Sequence, residues 1–183
     1  MSAISGSSLC FIHQANPQKE IERISLYIAE NKSIKNLSVS GMNFEGIDFS
    51  NREIYGCNFR DSSFSKCIFS GDIIRMSFFD FADFIDCDFS KTDMQFLSFA
   101  GSRIQNCNFE GSEIVHANFL GASIFETSFS HSNLYNSRFI NSNLENSRFI
   151  DCNVKQVNFI SSRRKDVIFK SSNTAEAIFE MEG

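Results

Sequence analysis

From Ile34 to Phe179 a large apolar residue returns at every fifth position without a slip in register. The series opens Ile34, Val39, Phe44, Phe49, Ile54, Phe59 and runs on to Leu144, Phe149, Val154 and Phe159. Of its thirty positions only Arg164 and Thr174, both near the end, are polar. Two positions before the anchor stands a small residue, as at Cys57, Ser62, Cys67, Ser77, Ala82, Cys87, Ala117 and Ser132. An α-helix repeats at 3.6 residues and a flat strand at 2, so a strict five fits neither. A five-residue period fits a chain that turns a corner every five residues and sends each anchor inward at the middle of a side. Four corners close a square coil of twenty residues, and stacked coils bury a continuous column. The pattern therefore predicts an all-β solenoid, a quadrilateral β-helix of about seven coils over residues 34–183. At the strand-pairing distance of roughly 4.8 Å per coil the rod is roughly 34 Å long.

Ahead of the solenoid, residues 1–33 read as a lead and one helix. The lead, Met1 to Gln14, is Ser-rich with one apolar run, Leu9 to Ile12, that fits an edge strand or a disordered tail. Asn16 suits an N-cap, Pro17 the first helical position, and Glu20 an acidic first turn. Ile21, Ile24 and Ile28 then share one face, and Asn31 or Lys32 closes the helix. An amphipathic helix there would cover the apolar cross-section of the first coil.

Corner chemistry agrees with the coil. Two residues past the anchor come Gly41, Gly46, Gly56, Gly71, Gly101, Gly111 and Gly121, then Asn136, Asn141 and Asn146, residues that accept a positive φ. Met76, Phe81 and Phe96 occupy the same position and predict a different turn there.

Composition changes the picture little. The repeat explains twenty-two Phe among 183 residues, because fourteen of them are the anchors from Phe49 to Phe179 at every tenth residue. No run of eighteen apolar residues exists to span a membrane, and Met1 to Ser8 lacks the order of a secretory signal. A cytoplasmic or non-classically exported protein is expected. The net charge of −5 names no partner. Residues 41–130 nonetheless hold thirteen acids against six bases, and 131–170 three against seven. Asp80, Asp83, Asp86, Asp88 and Asp93 form the densest acidic stretch, a candidate acidic patch.

Five of six cysteines, Cys57, Cys67, Cys87, Cys107 and Cys152, fall at the small inward position. Cys67, Cys87 and Cys107 are twenty apart and share a column. Stacked parallel thiols converge on no tetrahedral centre and have poor disulfide geometry, so they read as core. His116 and His131 sit at corners of different sides, with no nucleophile or ligand partner. Without a phosphate loop, a catalytic triad or a carboxylate pair, no enzyme, metal or cofactor is expected. One column does suggest contact. Just past the anchor most residues are polar, but Leu120, Ile140 and Ile160 make an outward apolar stripe on the side of Phe119, Phe139 and Phe159. A homodimer or a protein partner is expected there.

The motifs Ala-Asn-Phe119-Leu-Gly, Ser-Asn-Leu134-Tyr-Asn and Ser-Asn-Leu144-Glu-Asn resemble those of the pentapeptide-repeat family, over about four-fifths of the chain. The resemblance implies a right-handed, four-sided β-helix. It implies no common chemistry, since the family shares a scaffold. The leading expectation is a non-enzymatic protein-interaction module that does not itself bind nucleic acid. Some members of the family mimic duplex DNA and protect DNA gyrase, which makes gyrase a possible partner. This chain is only modestly acidic, has no projecting loop, and lacks the C-terminal dimer helix of those members. A secreted bacterial effector is the third alternative.

Overall fold

A computed structural model describes residues 17–180. The lead, the N-cap at Asn16 and the run Leu9 to Ile12 lie outside these residues. The first element is helix α1, Pro17–Glu30. Ile24 and Ile28 are buried and Ile21 packs partly against the core, so the face set by the three- and four-residue spacing lies against the first coil. The other end of the helix is held by a residue the sequence did not flag. Arg52 Nε donates to the Ile28 carbonyl at 2.7 Å, Nη2 to that of Ala29 at 3.2 Å, and Nη1 to that of Ser50 at 3.1 Å. The last carbonyls of a helix lack intrahelical partners and carry its negative dipole end, and a guanidinium satisfies both.

Beyond the helix the chain is the expected parallel β-solenoid. Its first side is a five-stranded sheet of β1 (Ser33–Lys35), β3 (Glu53–Tyr55), β5 (Ile73–Arg75), β7 (Asp93–Gln95) and β9 (Glu113–Val115). The third side has seven strands: β2 (Asn43–Glu45), β4 (Ser63–Ser65), β6 (Asp83–Ile85), β8 (Arg103–Gln105), β10 (Ser123–Phe125), β11 (Asn143–Glu145) and β12 (Arg163–Lys165). Residues pair with those twenty positions away, as Phe44 with Phe64 and Phe84 with Ile104. The second and fourth sides are joined by single parallel bridges such as Asn58 to Phe78 and Asp48 to Ile68.

The anchors fill the interior. Rings of one column stack nearly flat, Phe69 on Phe89 at 4.5 Å and Phe89 on Phe109 at 4.6 Å. Rings of opposed columns meet edge to face, Phe89 to Phe99 at 6.3 Å and 89°. Both geometries suit the aromatic quadrupole. The small inward residues also carry the polar work of the corners. Ser112 Oγ donates to the Phe89 carbonyl at 2.7 Å and accepts the Thr92 amide at 3.2 Å; Ser132 does the same one coil on. Buried hydroxyls and corner amides are thus mutually satisfied.

The different turn expected at Met76, Phe81 and Phe96 is not formed. All three have positive φ, 49°, 57° and 56°, like the Gly and Asn corners around them. A bulky residue in that region carries strain. Here the neighbouring coil over-determines it, since the Phe81 amide donates to the Ala100 carbonyl at 2.8 Å and the Phe96 amide to that of Val115 at 3.2 Å. Inter-coil pairing dictates the corner, and the residue type follows. The polar anchors belong to the final turns of the rod. Arg164 is exposed, its guanidinium lies 4.9 Å over the Phe179 ring, and Nη1 donates to the Phe159 carbonyl. A cation on an aromatic face, with its charge toward solvent, shields the apolar end.

Candidate interaction surface

Counting by twenties assigns every outward residue to a side, and the second side differs from the other three. Its middle coils expose Phe78 and Leu120, flanked by Met76 and Phe96 at the corner shared with the first side and Phe81 at the corner shared with the third. Ile140 and Ile160 continue the same surface half-buried. Phe81 is the most open of these, at 66 %, and Phe96 is at 57 %. The stripe Leu120, Ile140, Ile160 is therefore one column of a wider apolar face. Sequence reading treated the bulky corners as turn anomalies, although the same count already aligns them beside the stripe.

Several contacts fix this face. A Cβ added to Gly101 would lie 2.6 Å from the Phe81 ring, so the absent side chain gives that ring its seat. Phe96 stacks on His116 at 4.9 Å, and His116 Nδ1 is 2.9 Å from Asn136 Nδ2. Arg60 lies 4.4 Å over the Phe78 ring, and its Nε donates to Asp80 Oδ2 at 2.7 Å. Ser98 Oγ donates to the other Asp80 oxygen. Asp80 is thereby recessed, only 7 % exposed, between two open aromatic rings.

The five aspartates do not form one patch. Asp80 lies on the second side, Asp83 on the third, Asp86 at the next corner, Asp88 on the fourth side and Asp93 on the first. Consecutive residues wind around the coil, so a dense stretch in sequence becomes a girdle in space. Besides Asp80, three of its members are engaged: Asp86 accepts from Asn106 at 2.6 Å, Asp88 from Asn108 at 3.2 Å, and Asp93 pairs with Arg75.

The buried titratable groups suit a core. Cys67 and Cys87 donate weakly to the carbonyls of Phe44 and Phe64, each at 3.5 Å. The thiol of Cys107 and burial push the Cys87 thiol up to about 12, and burial pushes that of Cys57 up to about 11. Both are protonated and unreactive at neutral pH. No cluster of three or more His, Cys, Asp or Glu able to hold a metal occurs among the described residues. Asp72 stands apart. It occupies a small inward position at 1 % exposure; Oδ1 accepts the Arg52 amide at 2.7 Å, while Oδ2 has no partner. Burial pushes its carboxyl up to about 8, against the smaller opposing pull of the Arg52 amide and guanidinium. A hollow of about 350 Å³ on the third side, lined by Arg103, Gln105, Phe125, Glu126, Glu145 and Asn146, contains no nucleophile beside a base.

Family models match the chain in two places: a pentapeptide repeat region over residues 102–179 and pentapeptide repeats over residues 36–71. The chain belongs to the pentapeptide-repeat family. No curated protein matches it at a significant level. Among solved structures it is similar to trypsin-treated QnrB1, a plasmid-mediated fluoroquinolone resistance protein. The identity is 23 %, over 80 % of this chain and 79 % of that one, with a TM-score of 0.69. It also matches a pentapeptide repeat protein of the Arabidopsis thaliana thylakoid lumen, at 24 % identity over 56 % and 68 % of the two chains and a TM-score of 0.44. A third is Rfr23 of the cyanobacterium Cyanothece 51142, at 13 % identity over 86 % and 99 % and a TM-score of 0.38.

Proposed function

We propose that this protein is a non-enzymatic interaction module whose second side docks protein. The carrying observation is the exposed apolar face of Met76, Phe78, Phe81, Phe96 and Leu120, five large side chains on three consecutive coils. Single exposed apolar residues are ordinary, but a contiguous group rimmed by polar ones marks a contact surface. The residues are of the type that anchors interfaces, large and aromatic with an arginine beside them. Gly101 seats Phe81, His116 stacks on Phe96, and Arg60, held by Asp80, covers Phe78, so these three rings lose little side-chain freedom on docking. The test is capture of proteins on immobilised wild type, on Phe81→Ser/Leu120→Ser, and on the third-side variant Phe125→Ser. Loss of captured protein only with the second-side variant supports the reading. Equal capture by all three overturns it.

DNA gyrase is the named alternative partner, suggested by the family and by the fold it shares with QnrB1. The acidic girdle favours this reading, because charge distributed around a rod is what a duplex-like surface needs. Much of that charge is already paired with Arg60, Arg75 and neighbouring amides, which weakens it as a mimic. Gyrase supercoiling in the presence of a fluoroquinolone decides it. Protection by stoichiometric protein supports a gyrase partner, and undiminished inhibition excludes that role.

A further inference from the structure

The second side is also complementary to itself, and we infer that its partner is a second copy of this chain, packed antiparallel about a two-fold axis through Leu120. This rests on reading that side as a docking face. The column just past the anchor reads Arg60, Asp80, Ala100, Leu120, Ile140, Ile160 and Glu180. A two-fold axis lying across the rod reverses coil order and keeps each column opposite itself. With the axis at Leu120, that residue meets its own copy. Ile140 then meets Ala100, Ile160 meets Asp80, and Glu180 meets Arg60.

Each pairing is physically apt. Ile140 and Ile160 of the late coils are bulky and half-buried, whereas the matching early positions hold a small residue and an inward-drawn one. Ala100 is small and adjoins Gly101. Asp80 is drawn inward by Arg60 and Ser98, while Phe78 and Phe81 on either side of it in the chain stay exposed. Opposite the inward-drawn Asp80, Ile160 of the second copy packs against the exposed Phe78 and Phe81. Beyond the apolar coils, exposed Glu180 meets Arg60, whose guanidinium is already held over Phe78 at 4.4 Å. A parallel arrangement would instead set each coil against its own copy, with Arg60 facing Arg60 and the bulky isoleucines facing one another. Large residues therefore meet small or inward-drawn ones only in the antiparallel register. Four coil steps separate Asp80 from Ile160, roughly 19 Å at the strand spacing. An interface of that length is small, and a dissociation constant in the micromolar range is expected.

Sedimentation equilibrium of the full chain, combined with site-directed cross-linking, tests the register. Sheets that pack face to face lie roughly 10 Å apart, beyond disulfide reach, so a short bis-maleimide is the probe. Cys10 is replaced by Ser, and the five buried cysteines do not compete. Leu120→Cys is expected to cross-link to itself. Ala100→Cys and Ile140→Cys are expected to cross-link when mixed and not alone. Ile140→Asp should weaken the dimer at least about tenfold. Glu180→Arg, at an exposed position where folding is not at risk, should weaken it severalfold. Wild type that is monomeric at high concentration overturns the self-pairing but leaves the docking side standing, because capture on wild type and on Phe81→Ser/Leu120→Ser reads that separately. A dimer in which Leu120→Cys does not react, or one indifferent to Glu180→Arg, overturns the register.

Discussion

Asp72 gives the protein a pH dependence that can be worked from its surroundings. It is the one carboxylate at the inward position two before the anchor, where most other coils place Ser, Thr, Cys or Ala. One oxygen accepts a single backbone hydrogen bond and the other accepts none. Ionisation in that place is opposed chiefly by desolvation, and the carboxyl titrates near 8 in the fold against roughly 4 in an unfolded chain. The folded state therefore holds a proton that the unfolded state has released across that whole window. Stability is fullest below about pH 4 and is lost as pH rises toward 8, at about 1.4 kcal/mol per pH unit. The total reaches roughly 4–6 kcal/mol for this shift, a large share of a domain's net stability. Asp72→Asn keeps an oxygen for the Arg52 amide and cannot ionise. Urea unfolding of both proteins from pH 5 to pH 8 measures the difference. Wild type should lose stability relative to Asp72→Asn across this range, with the two converging at the acid end. Parallel curves would refute the reasoning, since they would mean the site is solvated or finds a compensating charge.

Three further outcomes follow from the core and its caps. Phe99→Ala removes a fully buried ring stacked on Phe79 at 5.2 Å and Phe119 at 5.0 Å, and should cost about 3–5 kcal/mol in denaturant unfolding; an unchanged midpoint would place the ring outside the core. Arg52→Ala frees the last carbonyls of α1 and should cost about 1–3 kcal/mol, with faster amide exchange confined to residues 17–31; equal protection there would show that apolar packing alone seats the helix. Chelator should leave the melting temperature unchanged and six thiols should titrate in denatured, reduced protein, whereas stoichiometric bound zinc would contradict the core role of Cys67, Cys87 and Cys107.

Much of this structure is legible because the period is so strict. Thirty anchors fix the register, and with it which residues stack, which point inward and where Arg164 and Thr174 must fall. The helix is equally plain from Pro17 and the spacing of Ile21, Ile24 and Ile28. Turn propensity misled at Met76, Phe81 and Phe96, because the hydrogen bond to the next coil outweighs a residue's dislike of positive φ. Proximity in sequence misled at Asp80 to Asp93, because five residues along this chain turn a corner. The clamp of Arg52 on Ile28 and Ala29 had no local signal, since it joins residues more than twenty apart across the first coil. The face around Leu120 was half visible: its stripe was read, and the rings beside it were not joined to it.

The most direct measurement is carbene footprinting of the intact protein from dilute to concentrated solution, resolved residue by residue. Labelling of Phe78, Phe81, Leu120, Ile140 and Ile160 is expected to fall together as concentration rises, while Ile68, Ile85 and Phe125 on the other sides keep their reactivity. Protection of another side, or labelling of the second side that does not change with concentration or with any bound protein, would contradict the assignment of that side as the contact surface.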